Sequence, residues 1–180
     1  GLQMKKMNYL LCLSCLLFAF TSCDGLLEKR PGNPRVLVFS KTAGYRHGSI
    51  GVGKVAIMKL GQENGFSVDT TEDAAYFNED SLKNYSAVIF LSTTGNVLNA
   101  AQEAAFERYI QAGGGYVGVH SSADTEYDWG WYGKLAGGYF LSHPEQQVAD
   151  LMIVDSGHIS TKHLHSPWTR KDEWYNYKKL

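Results

Sequence analysis

The sequence predicts an α/β domain: a doubly wound, mostly parallel sheet with helices on both faces. Three observations carry that expectation. Short apolar, β-branched runs recur between residues 35 and 119, each closed by glycine or polar turn residues. Segments with helical spacing separate these runs. Glycines stand where helix C-terminal caps belong. Strands alternating with helices imply parallel βαβ units.

The elements follow in order. Residues 35–40 (RVLVFS) form a continuous apolar run, the pattern of a strand covered on both faces. Ser49 is placed to cap a helix running to Asn64. Val52, Val55, Ala56 and Leu60 recur in it at helical spacing, and Gly65 stands at the left-handed C-terminal cap. Residues 66–70 read as a second strand. Residues 87–92 (AVIFLS) read as a third, buried strand, closed by Thr93-Thr94-Gly95. Asn99, with Gln102 three residues on, has the spacing of a capping box. The helix it opens carries Phe106, Tyr109 and Ile110 inward and stops at Gly113-Gly114-Gly115. Residues 116–119 read as a fourth buried strand. After Asp124 the pattern loosens into an aromatic-rich stretch, with one more strand expected over 148–154.

Composition bounds the function. The chain has 180 residues, 44% hydrophobic and 19% charged, which suits one globular domain. Its formal net charge is -1 without a basic block, so nucleic acid is not an expected partner. The cysteines are Cys12, Cys15 and Cys23. Everything after Cys23 is cysteine-free, which excludes a disulfide scaffold, a thiolate zinc site and a cysteine nucleophile there. Lys5 and Lys6 precede an apolar run over residues 9–20, shorter than the ~20 residues of a spanning helix, so residues 1–23 read as a secretory signal. Phe20-Thr21-Ser22-Cys23 resembles a bacterial lipobox, which makes Cys23 the lipidation site. Residues 24–34, ending in Arg30-Pro31-Gly32-Asn33-Pro34, read as a linker to a domain over 35–180. An exported lipoprotein is expected, periplasmic or anchored to the outer membrane, with the residues before Gly32 outside the fold.

In a doubly wound sheet ligands sit beyond the carboxyl ends of the strands. That rule selects residues 41–48, 93–98 and 120 onward. Gly118-Val119-His120-Ser121-Ser122 has the spacing of a nucleophile elbow with histidine at the apex. An imidazole there serves as general base, metal ligand or orienting donor; a strand ending on a backbone-bonded histidine is the plainer reading. Ser121 and Ser122 stand one and two residues past the apex, a weaker basis for a serine hydrolase. All six histidines follow residue 46. His47 lies beside Arg46 in the first loop, and His143 lies beyond the aromatic belt of Tyr127, Trp129, Trp131 and Tyr132. His163 and His165 read as solvated. Aromatic faces pack on sugar rings while their polar atoms bond hydroxyls; otherwise the belt simply covers one end of the sheet. Asp172-Glu173-Trp174-Tyr175 joins two carboxylates to two aromatics.

Several motifs in sequence order carry a family resemblance. These are Gly113-Gly114-Gly115-Tyr116-Val117-Gly118-Val119-His120-Ser121, Tyr127 to Tyr132, Leu135-Ala136-Gly137-Gly138-Tyr139-Phe140 with His143-Pro144, and Thr161-Lys162-His163-Leu164 leading to Asp172-Glu173-Trp174-Tyr175. From about Arg35 onward the chain resembles the ThuA-like (trehalose utilisation) family of the class I glutamine amidotransferase-like superfamily. The resemblance implies a flavodoxin-like three-layer sandwich, with His120 in the seat of the amidotransferase cysteine. Glutaminase activity is therefore not expected. Handling of disaccharides or their 3-keto derivatives is implied, with a base such as His120 removing the proton beside the ketone.

On that reading Asp124 partners His120, and Glu173 is a second acid/base group. Arg46, His47, Thr94, Tyr127, Trp129, Trp131 and His143 bind the sugar, and His120, His143 and Glu173 are candidates for holding a divalent metal. One shared cleft is expected to join His120, Asp124, His143 and Glu173. The alternative is a lipid-anchored carbohydrate-binding protein without catalysis. Three departures from the family pattern stand out: Ser86 replaces an acid, His158-Ile159 stands where His-Pro is common, and the chain ends at Leu180, which reads as C-terminal truncation. The sugar, the metal and the oligomeric state are left open.

Overall fold

The computed structural model describes residues 32–178. The predicted signal, Cys23 and most of the linker lie outside the described residues. Four strands form one parallel sheet: β1 (Arg35–Phe39), β2 (Ser67–Thr71), β3 (Ala87–Leu91) and β4 (Gly115–Val119), in the order β2-β1-β3-β4. The connecting helices are α1 (Ile50–Asn64), α2 (Glu79–Leu82) and α3 (Ala100–Gln111). In register, Val38 pairs with Thr70 and Ile89, and Ile89 with Val117.

Adjacent strand residues point to opposite faces, and β3 shows what each face meets. Gly53 of α1 approaches Leu91 so closely that an added Cβ would stand 3.0 Å from its Cδ1. The neighbouring Phe90 ring instead lies 5.4 Å from Phe106 of α3. Helices therefore cover both faces in three layers, a flavodoxin-like α/β fold. On the α3 side Leu37, Phe39, Val88, Phe90 and Phe106 are fully buried. Edge-on ring contacts such as Phe39 with Phe77 at 4.6 Å knit this core.

Local signals place most boundaries. The Asn99 side chain accepts from the Gln102 amide at 3.0 Å, and the Gln102 side chain accepts from the Asn99 amide at 2.9 Å, completing the capping box. Gly65 closes α1 at φ 72°. Ser49 occupies the N-cap position with a helical backbone and makes no side-chain capping bond.

Two expectations are corrected. The residues of α1 turned to the sheet are Ile50, Gly53, Ile57 and Gly61, whereas Val52, Val55 and Leu60 are exposed. Gly61 explains the rotation: a Cβ there would stand 2.6 Å from the Phe66 carbonyl oxygen, so only glycine lets the helix settle this close. The fourth strand is not buried. Among the described residues it has a sheet neighbour on one side only, and Val117 is 47% exposed.

The stretch after Asp124 holds more structure than its pattern suggested. Helix α4 (Gly130–Ala136) is followed by β5 (Tyr139–Ser142), β6 (Gln147–Leu151), β7 (Trp168–Asp172) and β8 (Asn176–Lys178). β5 pairs with β8 and β6 with β7, both antiparallel. The expected strand over 148–154 is β6, which ends at Leu151. Among the described residues no helix is long and apolar enough to cross a membrane.

Candidate functional site

The parallel sheet brings its carboxyl ends to one edge. His47 lies on the loop after β1, and His120 follows β4 directly. Their rings meet edge to face with centroids 4.5 Å apart. His120 adopts φ 53°, a left-handed backbone that non-glycine residues seldom hold. The tight turn ends the strand and sends the chain into a short helical turn over His120–Asp124.

The antiparallel ribbons supply the rest of the cluster. Glu173 follows β7, and its Oε2 stands 3.5 Å from His120 Nε2 and 3.7 Å from His143 Nε2. The Tyr175 hydroxyl lies 3.2 Å from His120 Nε2. His143 Nδ1 stands 2.8 Å from the Pro144 carbonyl oxygen. That contact needs a proton on Nδ1, and Nε2 is turned to Glu173. The Glu173 side chain is 21% exposed, enough for a solute to reach it yet low enough to strengthen its electrostatics.

Environment tunes these groups. Burial, and next the neighbouring His120, push the His47 pKa down, against the pull of Glu173 and Asp124. Burial raises the Tyr175 phenol, with Glu173 and Asp124 adding to it, so the phenol keeps its proton and acts as a donor. Tyr127 is raised likewise, first by burial and then by Asp124, to which it donates at 2.5 Å.

A cavity of about 530 Å³ opens beside the cluster, lined by Tyr116, Gly118, His120, Ser122, Glu173 and Tyr175 among others. Gly118 keeps its floor clear. A Cβ there would stand 2.5 Å from Ser122 Oγ and 2.7 Å from the Tyr116 hydroxyl.

Of the residues singled out in the sequence, His47, His120, His143 and Glu173 converge. Asp124 stands at the margin: it accepts the Tyr127 hydroxyl, and its charge reaches His47 and Tyr175. Tyr127 lies under the Lys178 ammonium, 4.0 Å from its ring centroid. The others sit elsewhere. Both outer nitrogens of Arg46 donate to Glu72 at 2.9 Å. Thr94 is fully buried, its hydroxyl donating to the Tyr45 carbonyl at 2.8 Å. Trp129 and Trp131 stack on each other at 5.0 Å and pack against Phe106 at 6.5 and 6.3 Å, as part of the core's rim rather than the cavity wall.

Two residues have roles the sequence did not assign. Tyr175 bonds His120, and its place in the Asp172–Tyr175 tetrad was the available signal. Ser121 Oγ lies 3.3 Å from His47 Nδ1 and is 1% exposed; it orients an imidazole and does not face the cavity, where Ser122 stands. Among the described residues, one group could hold a metal ion: His47, His120 and Glu173 each offer a ligand atom, all within 4.8 Å of one another.

The fold and this strand-end cluster define a parallel α/β domain with its site at the carboxyl edge of the sheet. The ThuA family model, described as trehalose utilisation, matches residues 35–180, and the chain belongs to that family. It is similar to a ThuA-like protein of known structure from Bacteroides uniformis, with 28% identity and a TM-score of 0.66, over 81% of this chain and 62% of that one. A ThuA-like protein from Parabacteroides merdae shares the fold at 20% identity and a TM-score of 0.65, over 80% of this chain and 63% of that one. The chain thus spans under two thirds of the length of both structures. None of the curated proteins compared with it matches.

Proposed function

We propose that this domain processes a sugar, a disaccharide or its 3-keto derivative, by proton transfer at the cluster of His120, His143, Glu173 and Tyr175. One observation carries the reading. Two imidazoles, a carboxylate and a phenol converge beside a cavity of about 530 Å³, a volume typical of small-molecule sites. The family's description supports the substrate class. A ketone acidifies the adjacent C–H. An imidazole whose Nε2 faces Glu173 takes that proton, and the protonated Tyr175 phenol donates to the oxygen where charge develops.

The test is deuterium exchange beside the ketone of 3-keto-trehalose in D2O, followed by NMR with the full chain. Exchange or cleavage is expected, and Tyr175→Phe and Glu173→Gln each slow it by about 10²–10⁴-fold with unchanged circular dichroism. Trehalose binding without exchange supports the lipid-anchored binding protein instead, and failure to bind either sugar overturns both readings. The proposal includes export and lipidation at Cys23, for which membrane retention should be lost in Cys23→Ser.

A further inference from the structure

We propose that His47, His120 and Glu173 form a three-ligand site for a first-row divalent transition-metal cation, with its remaining coordination positions open to the cavity. The donor atoms lie within 4.8 Å of one another. The 3.5 Å between His120 Nε2 and Glu173 Oε2 is close to the edge of a tetrahedron drawn around zinc, about 3.3 Å for bonds of 2.0–2.1 Å. The rest of the set, spaced at up to 4.8 Å, closes on a cation by side-chain adjustment.

The surroundings argue for a cation independently of spacing. Metal-bound imidazoles are normally held by a hydrogen bond on the other ring nitrogen. His47 has one, from Nδ1 to Ser121 Oγ at 3.3 Å, which leaves Nε2 for the ligand. Glu173 is held at its second oxygen by Gln146, whose Nε2 donates to Oε1 at 3.3 Å, while Oε2 turns to the histidines. Two imidazoles and one carboxylate suit manganese through zinc better than calcium or magnesium, which prefer all-oxygen shells.

The inference rests on the proposed sugar reading only for its catalytic consequence. A cation held by His120 polarises a sugar carbonyl or hydroxyl oxygen as a Lewis acid. It also assigns the imidazoles: His120 becomes a ligand, and His143, outside the triad, is left as the base.

The experiment is titration of the metal-stripped full chain with Co²⁺, read by its visible d–d absorption, and with Zn²⁺, read by calorimetry. One cation per chain is expected. His47→Ala and Glu173→Gln should each weaken binding by about 100-fold or more, and loss of the outer partner in Ser121→Ala by about 10-fold. Circular dichroism confirms that each variant folds, and the near-isosteric Glu173→Gln keeps the test alive if His47→Ala does not. His143→Ala should bind the cation normally. The proposal is overturned by absence of stoichiometric binding, or by binding that survives both His47→Ala and Glu173→Gln. Sugar exchange that persists undiminished in metal-stripped protein overturns the catalytic consequence while leaving the site and the sugar reading intact. A bound cation in a chain with no sugar affinity overturns the sugar reading and leaves the site.

Discussion

The parallel sheet and the antiparallel ribbons that follow it are built on different principles. In the sheet Leu37, Val38, Phe39, Val88 and Phe90 are fully buried, whereas in the ribbons Val148 is 65% and Tyr177 56% exposed. The sheet draws its stability from apolar burial shared among several elements. Each ribbon is a two-stranded pairing, which on its own is marginal in water. Yet the site needs both: the sheet places His47 and His120, and the ribbons bring His143, Glu173 and Tyr175 against them. Stability and chemistry are therefore unevenly divided, with the rigid half fixing the geometry and the lighter half completing it.

The largest expected effect breaks the rigid half. Phe90 touches Phe39, Phe77, Phe106 and Tyr132 with centroids 5.3–5.7 Å away, so Phe90→Ala leaves a cavity bounded on every side. A loss of about 3–5 kcal/mol is expected in urea unfolding. A loss below about 1 kcal/mol would mean that the sheet core does not dominate stability.

Next comes Gly61→Ala in α1. The added methyl meets the Phe66 carbonyl oxygen and Val68 Cγ2 at 2.6 and 2.8 Å, and backbone cannot swing aside like a side-chain tip. About 1–3 kcal/mol should be lost, against a gain in helix propensity of under about 1 kcal/mol. A stabilised variant would show that α1 stands further from the sheet than described.

Gly118→Ala sharpens the comparison from the other side. Its methyl would meet Ser122 Oγ and the Tyr116 hydroxyl, ends of side chains that can shift. Stability should fall by only about 1 kcal/mol, while the floor of the cavity rises and trehalose affinity drops by about tenfold or more, as calorimetry would report. Equal losses of stability and affinity would merge the two roles that the comparison separates. In the ribbons, Val148→Thr should change stability by less than about 0.5 kcal/mol, because the side chain is already 65% exposed. Backbone amides of β6 and β7 should also exchange faster with solvent than those of β1 and β3.

The same division governs what was legible in the sequence. Strands β1 and β3 and the ends of α1 and α3 were readable because their signals are local: an unbroken apolar run, a capping box, a glycine at a left-handed cap. What depends on partners was not. Val52, Val55 and Leu60 have helical spacing, but which stripe faces the sheet is decided by the close approach at Gly61. The run at β4 looks as buried as that at β3, and only the strand order among the described residues makes it an edge. β7 (WTRKD) carries too little apolar pattern to announce a strand, and its pairing with β6 depends on a ladder distant in sequence. At the site, His47, His120, His143 and Glu173 stood out by residue type at positions the topology favours. Trp129 and Trp131 pack on the core rim, and in sequence an aromatic in that place looks like one that greets a sugar.

The smallest effect concerns Arg46, one residue from His47 and a test of where scaffold ends and site begins. Its guanidinium and the Lys54 ammonium both bond Glu72, and the Arg46 bond, then the Lys54 bond, hold that carboxyl at about 2 against an ordinary 4.5. A carboxyl whose pKa is lower folded than unfolded contributes stability above its unfolded value, and that contribution is lost as pH falls through the folded one. The window is therefore pH 4.5 down to about 2. The Glu72 side chain is 40% and Arg46 52% exposed, so solvent screening keeps the contribution well under about 1 kcal/mol. In Glu72→Gln, stability measured by urea unfolding should fall slightly at pH 6 and depend less steeply on pH below 4.5. Trehalose affinity should stay unchanged at pH 6, because Arg46 belongs to the scaffold pairing. A marked change in sugar affinity would move Arg46 into the site, and with it the loop after β1 beyond the single imidazole that the geometry now assigns to it.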